Sequence, residues 1–179
     1  MALELDTRID LYTSVAEETS AAVIQRYSTS FGLASRLLDS PMRTHIANFY
    51  ALVRLADEVV DGVATEAGVS LTEAGRLLDA LEAETKRAMK TGYSTNLIVH
   101  AFAHSARAVG VGEDLVTPFF HSMRMDLTET THTPESFAEY VYGSAEVVGL
   151  MCLQAFLEGT EVSRQDKATM VAGARALGA

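Results

Sequence analysis

The chain is expected to be all-α. Apolar residues recur at helical spacing nearly throughout, only three prolines (at 41, 118 and 134) interrupt 179 residues, and no stretch alternates with the two-residue period of a strand. The period predicts helices over about 8–27, 30–38, 42–63, 70–90, 95–109, 113–127, 134–158 and 161–178. Asp39-Ser40-Pro41 separates the second and third helices, and Thr91-Gly92-Tyr93-Ser94 ends the fourth. Gly110-Val111-Gly112 divides the next two, and Thr128–Thr133 precedes the seventh. Ser70-Leu71-Thr72-Glu73 has the form of a capping box, its hydroxyl and its acid each able to satisfy a free backbone N–H. Thr133-Pro134-Glu135 supplies an N-cap hydroxyl, a proline whose missing N–H costs nothing in the first turn, and an acid facing the positive end of the dipole. With no repeat, linker or low-complexity tract, residues 1–179 read as one domain. A domain of that length buries roughly 70% of its unfolded surface.

Composition bounds the partners. A net charge of −10 disfavours nucleic acid or an anionic membrane as an electrostatic partner. An anionic substrate would need local positive charge from a metal ion and a few arginines. Cys152 is the single cysteine, so no intrachain disulfide can form, which suits a reducing cytoplasm. The acidic, charge-studded opening does not read as a signal peptide. No run approaches the ~18 apolar residues of a membrane span.

The chemistry concentrates in Asp57-Glu58-Val59-Val60-Asp61. Asp57 and Asp61 lie at i and i+4, so on a helix both carboxylates point the same way, one turn apart. At 100° per residue, Tyr50, Arg54, Asp57 and Asp61 fall in a stripe about 60° wide. Leu52, Leu55, Ala56, Val59 and Val63 cover the other side. Spacing alone also allows a solvated acidic face. Two carboxylates with no cation between them repel, however, and a hard divalent ion bridging them removes that cost while leaving room for substrate phosphates. Arg54 and Tyr50 on the same stripe add an anion donor beside the pair.

Four segments together carry a family resemblance. They are Tyr27-Ser28-Thr29-Ser30-Phe31, the helix Phe49–Asp61, Met123-Arg124-Met125-Asp126-Leu127, and Tyr140-Val141-Tyr142-Gly143-Ser144-Ala145-Glu146-Val147-Val148-Gly149. In this order and at these separations they resemble the squalene/phytoene synthase family, nearest to the bacterial phytoene synthases, from about Glu18 to the C-terminus. The resemblance implies an isoprenoid-synthase-type helical bundle and a Mg2+-dependent prenyltransferase, with Mn2+ as an alternative ion. Asp57 and Asp61 would hold the metal, and Arg54, Tyr50 and Tyr140 would complete the catalytic set. Tyr27, Ser28, Ser30 and Phe31 would contact the substrate, although the family often has histidine at the position of Tyr27 and the two serines serve equally as N-caps. Ser144 and Val148 would line a prenyl channel, Ser144 standing where an apolar residue is usual.

The implied reaction is the head-to-head condensation of two prenyl diphosphates, most simply geranylgeranyl diphosphate to phytoene through a cyclopropylcarbinyl diphosphate in carotenoid biosynthesis. A squalene- or dehydrosqualene-type synthase acting on farnesyl diphosphate is the alternative. The resemblance also implies a cytoplasmic enzyme with peripheral membrane contact for product release. Head-to-tail prenyltransferases and terpene cyclases usually carry Asp-Asp-x-x-Asp followed by basic residues. Here Gly62 follows Asp61, and the arginine comes three residues before Asp57. A non-catalytic family member acting as a binding or assembly protein is the remaining possibility.

Other groups carry less. Gly143 and Gly149 each cost roughly 1 kcal/mol against alanine inside a helix, which points to close approach by another helix or a ligand. Val147 and Met151 fit a core stripe as well as a channel. Asp126 reads as structural, paired with Arg124 or a helix end, and His100 and His104 have a zinc-compatible i, i+4 spacing without a third ligand nearby. The family also has a second aspartate motif on a later helix. Ala174-Arg175-Ala176-Leu177-Gly178-Ala179 resembles the lead-in to it, so the expectation is a C-terminally truncated domain, with the later helices absent and the 179 residues inactive by themselves.

Overall fold

The computed structural model describes residues 7–129 and 131–178; the side chains of Phe31 and Leu177 lie outside the described residues. Ten α-helices and one π-helical turn account for the regular structure among them, with no strand. They are α1 (Arg8–Tyr27), α2 (Thr29–Ser35), α3 (Ser40–Val60), α4 (Val63–Glu66), α5 (Leu71–Thr91), α6 (Leu97–Val109), α7 (Glu113–Thr128), α8 (Pro134–Val141), the π turn (Tyr142–Glu146), α9 (Val147–Phe156) and α10 (Arg164–Gly178).

The predicted caps account for the helix starts. Ser70 accepts from the Glu73 N–H, and Thr133 forms a reciprocal capping box with Ser136. Asn96 takes the Ile98 and Val99 N–H groups, so α6 begins at 97 rather than 95. Gly92 and Gly110 close α5 and α6 with φ of 79° and 78°, a conformation costly for any other residue.

Three expected boundaries move for identifiable reasons. The second helix ends at Ser35 instead of 38, and the Arg43 guanidinium takes the Arg36 and Leu38 carbonyls left over. The third stops at Val60, because Gly62 at φ 149° turns the chain before the short α4. The span 134–158 is not one helix. The Val147 N–H reaches back five residues to the Tyr142 carbonyl, forming the π turn.

The helix α3 runs through the centre and packs against α1, α5, α6, α7 and α9. Phe49 on α3 meets Phe102 on α6 edge to face, at 5.6 Å between ring centroids. Leu52, Leu78, Val99, Val116, Phe119 and Phe120 close the core around them. Each such buried side chain contributes roughly 1.5–3 kcal/mol. Val147 and Met151 belong to this core. Close packing also accounts for both helical glycines. A Cβ at Gly143 would strike the Pro118 carbonyl and Ser122 Oγ of α7, and one at Gly149 would come 2.8 Å from the Ala174 carbonyl of α10.

His100 is core as well. The Ser94 N–H donates to its Nδ1, so Nε2 carries the proton and donates to Thr13 Oγ1 at 2.9 Å. With both ring nitrogens engaged and His104 exposed, the pair is not a metal site. Among the described residues no helix is long and apolar enough to cross a membrane.

Candidate active site

The long axis of α3 sets out two environments on one face. Toward its N-terminal end, Ile46 lines an apolar cavity of about 700 Å³. The other walls are Ala34 of α2 and Leu38 just after it, Val148 and Cys152 of α9, and Met170 of α10. Asp57 stands eleven residues further along α3. At 1.5 Å and 100° per residue that is roughly 16 Å away and within about 20° of the same line. Asp57 and Asp61 do not line the cavity itself.

At the acidic end Asp57 is half-buried and Asp61 exposed. Burial and the neighbouring Asp61 charge push the Asp57 carboxyl up to about 6, with Asp126 and Glu58 adding to the effect and Arg54 opposing it. Asp126, on α7, joins this group. It does not pair with Arg124, which binds Asp79 and Glu82 instead. Asp126 Oδ2 accepts from the Tyr140 hydroxyl at 3.4 Å. Burial raises the Asp126 carboxyl, the Tyr140 hydrogen bond opposes this, and the charge of Asp61 adds to the rise. Tyr140 is raised in turn, by burial first and then by the Asp126 charge, with Asp61 contributing. Tyr140 from α8 is thus joined to Asp126 from α7, and the charge of Asp61 at the end of the α3 stripe acts on both. Nothing local in the sequence links Asp126 to Tyr140, fourteen residues away and across a turn.

Arg54 is held from two sides. Its Nε donates to Glu58 Oε1 at 2.7 Å, and Nη2 donates to the same oxygen. Its guanidinium lies 4.5 Å over the Tyr27 ring. The expected anion donor is thus also paired along its own helix, and the i, i+4 position of Glu58 is the local signal for that pairing. Tyr27 is thus a platform under Arg54. Ser28 caps α1 through its backbone N–H, donated to the Ile24 carbonyl, and Ser30 is exposed within α2. Tyr50 is half-buried one turn before Arg54.

Ser144 does not line the cavity. Its hydroxyl donates to the Tyr140 carbonyl at 2.8 Å, and the neighbouring Ala145 takes the lining position. Val148 does line it, one residue past the turn of the core-facing Val147. Cys152 sits on the same wall, its thiol pushed up to about 11 by burial and therefore inert as a nucleophile.

The donor set suits a hard cation. It offers carboxylate oxygens only, and their mutual repulsion exceeds what Arg54 offsets. Among the described residues no three histidine, cysteine or acidic side chains converge as a closed cage. Two carboxylates with open positions match an ion that keeps water and phosphate ligands, as Mg2+ does.

Comparison with known proteins adds to this geometry. The model of the squalene/phytoene synthase family matches residues 24–179. A crystal structure of a dehydrosqualene synthase in complex with ligand has the same fold, with a TM-score of 0.72 and 22% sequence identity over 93% of this chain. The match covers 53% of that protein, about half its length. No curated protein matches the chain.

Proposed function

This chain belongs to the squalene/phytoene synthase family, and we propose that it supplies the diphosphate-ionising wall and part of the prenyl channel of an enzyme condensing two prenyl diphosphates head to head. The observation that carries the proposal is the arrangement along α3. An apolar cavity at Ile46 and an acidic group at Asp57 and Asp61 share one helix face, as a long hydrocarbon tail and a diphosphate head require.

Asp57 and Asp61 would hold Mg2+, which when bound neutralises charge developing on the departing diphosphate. Arg54 would donate to the diphosphate oxygens, its geometry fixed before substrate arrives. The Tyr140 hydroxyl, oriented by Asp126, would sit beside the allylic carbon that becomes cationic. Val148, Cys152 and Ile46 would surround the hydrocarbon and keep water from the cation. The second prenyl double bond attacks that carbon, and loss of a proton closes a cyclopropylcarbinyl diphosphate. Its own ionisation and rearrangement, followed by loss of another proton, give the triene-centred C40 product when the substrate has twenty carbons.

Geranylgeranyl diphosphate is the substrate we favour, with Mg2+ as cofactor, a cytoplasmic location and peripheral contact with a membrane that receives the product. Leu33 and Leu37, 64% and 90% exposed, stand beside the solvent-facing Arg36 where such contact would occur. The test is the complete enzyme carrying this chain, incubated with Mg2+ and either geranylgeranyl or farnesyl diphosphate, without reduced nicotinamide. Phytoene is expected from the first. Asp57→Asn or Asp61→Asn should lower turnover by several orders of magnitude with a smaller change in KM, since the lost charge acts as diphosphate departs. Near-parental turnover in either variant would refute the site, and a C30 product alone would replace the substrate with farnesyl diphosphate.

A further inference from the structure

We propose that Tyr27 is a positioning residue for Arg54: its ring fixes one face of the guanidinium so that an unengaged edge is presented to the diphosphate. The inference rests on the function proposed above and gives Tyr27 a part in it other than that of a substrate ligand.

The geometry is that of a clamp. The Arg54 carbon centre lies 4.5 Å over the Tyr27 ring, within cation–π range. Glu58 takes Nε and Nη2 with a single oxygen, Oε1. A guanidinium has five N–H donors in a rigid plane. Glu58 uses two of them and Tyr27 uses none, because it meets the face and not the edge. The Nη1 side therefore stays open in the plane that a diphosphate can engage in a two-point contact.

Each partner supplies what the other cannot. Glu58 lies on the same helix as Arg54, one turn on, and alone would let the guanidinium swing about the Nε–carboxylate contact. Tyr27 is the last residue of α1, so its ring comes from a different element and removes that freedom. The Arg54 and Glu58 side chains are 32% and 16% exposed, and a pair this sheltered keeps its orientation better than one in open water.

The test uses the chain itself with inorganic pyrophosphate and Mg2+ as the probe, binding being measured by calorimetry and Arg54 Nε–H being followed by NMR. Arg54→Lys identifies the Nε–H signal by its loss. Tyr27→Leu should weaken pyrophosphate binding roughly two- to fivefold, the equivalent of one exposed cation–π contact, and should displace the Nε–H resonance. Tyr27→Phe keeps the ring and should restore both. Equal binding by the parent and Tyr27→Leu would overturn the clamp alone. Loss of binding in Tyr27→Phe would overturn it too, by making the hydroxyl a ligand. Absence of pyrophosphate binding by the parent would instead overturn the proposed function and the clamp's purpose with it.

Discussion

Replacing Asp57 with asparagine should stabilise the metal-free chain at neutral pH, although the same change should stop catalysis. Asp57 is half-buried beside Asp61, Glu58 and Asp126, and its carboxyl rises from 3.8 to about 6. A raised carboxyl means that folding disfavours its charge. Below about pH 4 the group is protonated in both folded and unfolded chains and carries no penalty. Between about 4 and 6 the unfolded chain releases the proton first, so stability falls as pH rises through the folded value. Above about 6 the penalty is complete.

At about 1.4 kcal/mol per unit the full shift corresponds to at most about 3 kcal/mol, and partial solvent screening reduces this to about 1–2 kcal/mol. An asparagine carries no charge at any of these values. Urea denaturation of parent and Asp57→Asn at pH 4, 5, 6 and 7 should show a difference that is smallest at pH 4 and reaches about 1–2 kcal/mol in favour of the variant by pH 7. Adding Mg2+ at pH 7 should then stabilise the parent and leave the variant nearly unchanged. A variant less stable than the parent at pH 7 without metal would refute the reasoning. It would mean that the Asp57 charge is already well satisfied and has no need of a cation.

Other substitutions probe the surroundings. Gly143→Ala puts a methyl group against the Pro118 carbonyl and Ser122 Oγ, and should cost at least about 1–3 kcal/mol in a denaturant titration. Little change would mean that α7 and the π turn can separate. Ser105→Ala strips the partner from both His45 Nδ1 and Asn48 Nδ2, each at 2.8 Å, and should cost about 1–3 kcal/mol; an unchanged midpoint would show that water replaces it. Val148→Phe fills the apolar cavity from its α9 wall. In the complete enzyme it should raise KM for a C20 substrate more than for a C15 one, and equal effects on both would place the tail elsewhere.

What the sequence reveals follows the range of the interaction. The stripe of Tyr50, Arg54, Asp57 and Asp61 is legible because one helix fixes it, and the caps at Ser70 and Thr133 are legible because they join residues three apart. The same locality would have disclosed the Arg54–Glu58 pair. Tyr27 under Arg54 and Asp126 beside Tyr140 depend on how separate helices pack, and no residue spacing encodes them. The short α2 is a case of tertiary override. Arg43, on the next helix, captures the carbonyls of Arg36 and Leu38, where the apolar pattern alone would continue the helix. Of the two readings open for Val147 the core one holds, whereas the single helix expected over 134–158 is interrupted by the π turn.

That turn sets the phase between the two halves of the wall. Five residues complete it where an α-helix would use about four, so everything beyond Val147 is rotated by about 100° from the direction an uninterrupted α-helix would give. Tyr140 is thereby indexed to the acids on one side, while Val148 and Cys152 are indexed to the apolar space on the other. A chain that kept all its residues but closed this turn into an α-helix would swing Val148 and Cys152 off the cavity without touching Tyr140. In such a lineage the tail pocket could be rebuilt for a different chain while the site of ionisation stayed where it was.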